Sequence, residues 1–133
     1  MFILDTNVLS AVRRPDRAPQ VAQWLVDKPE AELFLSVITL GEIERGIQQQ
    51  ERANPVFAAD LRAWVDRTVR LFGDRILPFG ADEARIWGRL SADLGHTGAD
   101  LMIAATALAT GATIVTRNTA DFAASGVMLE NPF

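Results

Sequence analysis

At 133 residues, with 49% hydrophobic side chains and a net charge of −4, the chain has the size of one domain, residues 1–133, and enough apolar material for a real core. No run is long and apolar enough to span a bilayer and no secretory signal pattern opens the chain, so a cytoplasmic protein with no membrane partner is expected. Cysteine is absent, which excludes disulfides, thiolate nucleophiles and cysteine zinc sites, and the acidic balance excludes a generic basic nucleic-acid binder.

Phe2-Ile3-Leu4 runs straight into Asp5-Thr6-Asn7, which reads as a short buried strand with a carboxylate at its carboxyl end. Asp5 suits a helix N-cap, and the following segment, Val8 to Arg14, reads as a short helix stopped by Pro15. Val21, Trp24 and Leu25 have helical spacing, so Gln20 to Lys28 is expected to be a second short helix. Leu33-Phe34-Leu35 is strand two. Leu40, Ile43 and Ile47 mark the next helix, where Ser36 or Thr39 could cap the start, Thr39 with Glu42 fits a capping box, and Gly46 would be costly unless something packs close.

Asn54-Pro55 opens a further helix, striped by Phe57, Leu61, Trp64, Val65 and Phe72 and closed by Gly73. Ile76-Leu77 is strand three. Ala81 to Leu94 is a helix with Asp82 and Glu83 in its first turn, where acids suit the dipole. Gly95 to Gly98 is a loop holding His96, the one histidine. Ala99 to Thr110 is apolar on most faces and reads as a central, buried helix with Asp100 in its first turn. Thr113-Ile114-Val115 is strand four, and Val127-Met128-Leu129 strand five.

Strands alternating with helices imply α/β architecture, a parallel sheet covered on both faces. All strand carboxyl ends then share one edge, the edge at which such sheets bind ligands. Asp5 follows strand one, Glu42 follows strand two and Asp121 follows strand four. Periodicity alone does not fix whether Asp100 reaches the same edge. Two carboxylates about 4 Å apart repel by roughly 4 kcal/mol at an effective dielectric near 20. Raised pKa values, Arg partners or cations would have to offset such a cluster. With no cysteine and one histidine, an oxygen donor set points to Mg²⁺ or Mn²⁺, and a pair of such ions serves in-line attack on a phosphodiester.

Four blocks in order resemble PIN-domain ribonucleases, most nearly the VapC/FitB-type toxins of type II toxin–antitoxin systems. They are Phe2 to Ser10, Ser36 to Gly46, Ala99 to Ala107 and Ile114 to Phe122. The resemblance implies a PIN-like three-layer sandwich whose five-stranded parallel sheet has order 3-2-1-4-5, and it brings Asp100 to the acidic edge. It also implies that Asp5, Glu42, Asp100 and Asp121 are the catalytic acids and hold one or two Mg²⁺. Thr6, Asn7, Thr116 and Asn118 would orient the acids or a water. The implied partners are an RNA substrate, a cognate VapB-like antitoxin that blocks the acids, and a second copy in a homodimer. Gly95-His96-Thr97-Gly98 departs from the apolar approach the family leads one to expect there. Arg13, Arg14 and Arg45 are candidate contacts for RNA or antitoxin.

Two other classes fit parts of the pattern. A receiver-type signalling domain has a parallel sheet and an acidic Mg²⁺ pocket, but it needs a lysine after the last strand, and the sole lysine is Lys28. A catalytically silent PIN-fold interaction module would keep the fold and lose the chemistry. Acid–base cleavage by paired histidines is excluded by the single His96.

Overall fold

The sheet starts early in the chain: Phe2–Leu4 forms β1, and Leu33–Ser36 returns beside it as β2. In the computed structural model, which describes residues 1–133, three further strands complete it: β3 (Ile76–Leu77), β4 (Thr113–Val115) and β5 (Met128–Glu130). The order is β3-β2-β1-β4-β5 and every pairing is parallel, as the sequence implies. Strand order reverses between β1 and β4, which are in register at Ile3 with Ile114 and Leu4 with Val115.

Seven α-helices connect the strands: α1 (Thr6–Arg13), α2 (Pro19–Val26), α3 (Val37–Ala53), α4 (Pro55–Phe72), α5 (Ala81–Leu94), α6 (Ala99–Thr110) and α7 (Thr119–Ala123). The two-residue side-chain alternation of strands sorts the core into two layers. Leu4, Leu33, Leu35 and Val115 face one way, onto Val8 and Leu9 of α1, Ile43 and Ile47 of α3, and Val65 of α4. Ile3 and Ile114 face the other, onto Ile103, Ala104 and Ala107 of α6 and Phe122 of α7. A helix packed between a sheet and another helix needs apolar residues on most faces, and α6 has them, buried from Leu101 to Ala107 except at Met102. Gly111 ends it at φ 69°, a left-handed conformation suited to glycine. No helix is long and apolar enough to cross a membrane.

Several boundaries differ from the sequence expectation, for local reasons. Helix α1 starts at Thr6, two residues early, because Asp5 caps it directly and no linker intervenes. The Thr39–Glu42 capping box does not form. Ser36 is the cap of α3, its Oγ accepting from the Ile38 amide at 3.1 Å, and Thr39 lies buried inside the helix with its hydroxyl unpartnered. Helix α2 spans Pro19–Val26 and not Gln20 to Lys28, with Pro19 in its first turn. The stretch after β4 is not plain loop but contains α7. Strand β5 runs one residue later than expected, to Glu130, whose Oε1 accepts from the Trp24 indole at 2.6 Å. Glu83, in the first turn of α5, also caps that helix: its Oε2 accepts from the Gly80 amide at 3.1 Å.

Candidate active site

The chain leaves β1 at Asp5 and β4 at Thr116, neighbouring strand ends at the reversal of strand order, so the two residues meet there. Asp5 is buried, 5% exposed, and a buried carboxylate must have its oxygens bonded. Its Oδ2 accepts from the Thr116 hydroxyl at 2.7 Å and from the Asn7 amide at 3.3 Å, while Oδ1 accepts from the Thr6 backbone N–H at 2.8 Å. A carboxylate has about four acceptor sites, so one remains open, on Oδ1. Helix capping and site chemistry are therefore not alternatives for Asp5: one oxygen caps α1 and still has capacity to spare.

Thr116, by contrast, is fully used. It donates to Asp5 and accepts from Asn7 Nδ2 at 3.3 Å and from the Asn118 amide at 2.9 Å. Asn7 in turn accepts, at Oδ1, from the Arg117 backbone N–H at 3.1 Å. Thr6, Asn7 and Thr116 thus hold one carboxylate in one orientation. Asn118 contributes through its backbone, not its amide side chain.

The other three acids stand around this fixed point on different elements. Glu42 lies in the second turn of α3, its Oε1 accepting from the Thr6 hydroxyl at 3.4 Å. Asp100 lies in the first turn of α6 and Asp121 in the first turn of α7. Glu42 is raised above its ordinary pKa chiefly by desolvation, then by the charges of Asp5 and Asp100, with Thr6 and Arg45 acting the other way. Its side chain is open to solvent by surface area, yet enough protein surrounds the carboxyl end for desolvation to lead. Asp100 is raised by desolvation, then by Asp5 and Asp121, and lowered by His96. Each acid therefore lies within electrostatic reach of another, and Asp5 acts on both shifted groups.

None of the four forms an ion pair with an arginine, lysine or histidine. No three of them close around a common point as a formed metal cage. The donor set, oxygen only and without an ion-pair partner, fits a hard divalent cation in chemistry and charge, with the side chains more open than a loaded site.

Arg13 lines a groove of about 290 Å³ that Thr6 and Glu42 also line, and Arg14 lines the adjoining pocket. Arg45 acts on Glu42 through charge alone, without an ion pair. His96 is not idle: its Nδ1 accepts from the Gly98 amide at 3.3 Å, shaping the loop that delivers Asp100. Sequence reading missed it, although its position four residues before Asp100 was a usable signal. It also missed Phe57, Arg117 and Phe133, which come together from distant segments and show no spacing pattern.

A parallel sheet of order 3-2-1-4-5 with four acids at its switch-point edge defines a class of protein. The chain belongs to the PIN-domain family, whose pattern matches residues 2–125. Among curated relatives it is similar to VapC ribonuclease Y4jK of Sinorhizobium fredii, 34% identical over all of this chain and 98% of that one. It is also similar to Toxin FitB of Neisseria gonorrhoeae, 33% identical over all of this chain and 99% of the other. The crystal structure of FitAcB from Neisseria gonorrhoeae superposes with a TM-score of 0.81 at 33% identity, covering 99% of this chain and 98% of that one.

Proposed function

We propose that the protein is the toxin of a type II toxin–antitoxin system, an endoribonuclease that uses Mg²⁺, or Mn²⁺, to hydrolyse RNA phosphodiester bonds in the cytoplasm. The observation that carries the reading is the buried Asp5, fixed by three donors and within electrostatic reach of Glu42 and Asp100, with Asp121 beside Asp100 and no ion pair at any of the four. Family membership and relatives named ribonuclease and toxin support the same conclusion. An antitoxin that covers the acids would keep the toxin silent, and a homodimer would be the working assembly.

In this reading Asp5, Asp100 and Asp121 would hold one divalent ion, and Glu42 would help hold a second or position the attacking water. Bound ions supply positive charge at the phosphate and make a water acidic enough to attack it. The protein's own part is orientation. Thr116, Asn7 and the Thr6 amide point the remaining Oδ1 acceptor of Asp5 outward, and the Thr6 hydroxyl holds Glu42 near it. His96 and the turn at Gly98 set where Asp100 enters.

The openness of the acids favours a second reading, a silent PIN-fold module that only binds a partner. One experiment separates the two. Asp5→Asn should retain the native circular dichroism and abolish Mg²⁺-dependent RNA cleavage and growth inhibition. Cleavage persisting in that variant, or in wild type with excess EDTA, contradicts the proposal, and a wild type that binds antitoxin but cuts no RNA supports the silent module.

A further inference from the structure

Four arginines that serve no carboxylate gather beside the acidic edge. Arg13 ends α1, Arg14 precedes and Arg17 ends the 3₁₀ turn Pro15–Arg17 that follows, and Arg117 comes from the turn after β4. With Phe57 of α4 and Phe133 they line a pocket of about 370 Å³. The chain is rich in acids, and Asp16 lies between Arg14 and Arg17 in sequence, yet none of these arginines forms an ion pair. Two of them are stacked: the Arg13 guanidinium lies 5.2 Å from the Phe57 ring centroid and the Arg117 guanidinium 4.1 Å from that of Phe133. A ring under a guanidinium fixes its plane and leaves its N–H edge free for an anion.

The pocket is joined to the site. Ser10, Arg13 and Phe57 line both it and the groove onto which Thr6 and Glu42 open. The Arg117 backbone N–H is bonded to Asn7, which also donates to Asp5. Acidic edge and arginine pocket are therefore two ends of one track along α1.

We infer that the arginine pocket binds the sugar–phosphate backbone of single-stranded RNA next to the cleaved phosphate, on the α1 side of the site. The inference rests on the nuclease reading for the identity of the polyanion. An acidic peptide could meet the same charges, but it has no use for the ring faces. Nucleotides use both features, with phosphates on guanidinium forks and bases against aromatic or guanidinium planes.

The test measures anisotropy of a fluorescein-labelled, unstructured RNA oligonucleotide on full-length Asp5→Asn protein, in EDTA, across a KCl series. Adding Arg14→Ala and Arg17→Ala should weaken binding roughly 100-fold, two charge-assisted contacts being lost. The salt slope should shrink by about 1.4, at about 0.7 per phosphate on a single strand. Arg14→Lys with Arg17→Lys should restore most of the slope. The equal charge change Arg85→Ala with Arg89→Ala, on α5, should alter neither quantity, and thermal melts should show all variants folded. Affinity and slope matching those of the α5 pair overturn the subsite. So does a loss confined to a labelled polyglutamate peptide, which assigns the pocket to a protein partner. Cleavage in Mg²⁺, measured without the Asp5→Asn change, keeps the two proposals apart. Arginine-dependent RNA binding without wild-type cleavage keeps the subsite and removes the nuclease. Parental kcat/KM in the Arg14→Ala, Arg17→Ala protein removes the subsite and keeps the nuclease.

Discussion

The Thr116 hydroxyl donates to Oδ2 of Asp5 across 2.7 Å, joining residues 111 positions apart at the ends of two neighbouring strands. Both are buried, and the hydroxyl also accepts from Asn7 and Asn118, so one oxygen atom ties the two strand ends together at the fixed carboxylate. Thr116→Val keeps the shape and removes all three bonds. Leaving buried partners unmatched costs about 1–3 kcal/mol, and loss of such an orienting contact typically costs about 10–100-fold in metal affinity or activity. Thr116→Val should show both losses in a denaturant melt and an RNA cleavage assay, and Thr116→Ser should recover most of the activity. A Val variant with parental cleavage would mean that Asp5 needs no such support.

Desolvation of Glu42 and Asp100, reinforced by repulsion from the neighbouring acids, gives a pH dependence of known sign. Glu42 and Asp100 both titrate above their ordinary values, so the folded protein holds their protons longer than the unfolded chain does. Such groups favour folding fully below their unfolded pKa, and that contribution is lost as pH rises through the folded pKa. From roughly pH 4 upward they therefore burden the metal-free protein. In EDTA at neutral pH, Glu42→Gln with Asp100→Asn should melt at a higher temperature than wild type, the gap closing as pH falls through the carboxylate range. Saturating Mg²⁺ should raise the wild-type Tm at neutral pH, since a ligand that binds only the folded state stabilises it, and should leave the variant little changed. A double variant no more stable than its parent in EDTA would show that the acids do not burden one another.

The sequence carried the sheet and the first acid plainly, because short apolar runs between breakers leave a parallel sheet few alternatives, and Asp5 directly follows one of them. Glu42 was harder. Its spacing from Thr39 mimics a capping box, and only the competing cap at Ser36, which starts α3 earlier, puts Glu42 in the second turn beside Thr6. Asp100 was not placed by periodicity, since α6 is apolar nearly all round and has no distinct face to read. Family resemblance brought it to the edge, and its coupling to Asp5 and Asp121 agrees. Helix α7 is only five residues long, below the length at which a helical period declares itself. The arginine pocket was half visible, as Arg13 and Arg14, because its other walls arrive from α4, the turn after β4 and Phe133.

Gly46 sets up a last test. It lies in the interior of α3, where glycine costs about 1 kcal/mol relative to alanine. The sequence suggested a close neighbour as the reason, but nothing lies within 4 Å of where its Cβ would stand. Open space means that Gly46→Ala needs no repacking, so the change should stabilise the fold by about 1 kcal/mol, or roughly 3–5 °C in Tm for a chain of this length. The same residue lines the groove shared by Glu42, Arg13 and Phe57, so a methyl there projects toward the track assigned to RNA. Gly46→Ala should accordingly combine a higher melting temperature with weaker RNA binding in the Asp5→Asn background. Higher stability with unchanged RNA affinity would move the RNA path off this wall of the groove. A lower melting temperature would refute the stability argument itself, because then something other than helix propensity holds glycine at this position.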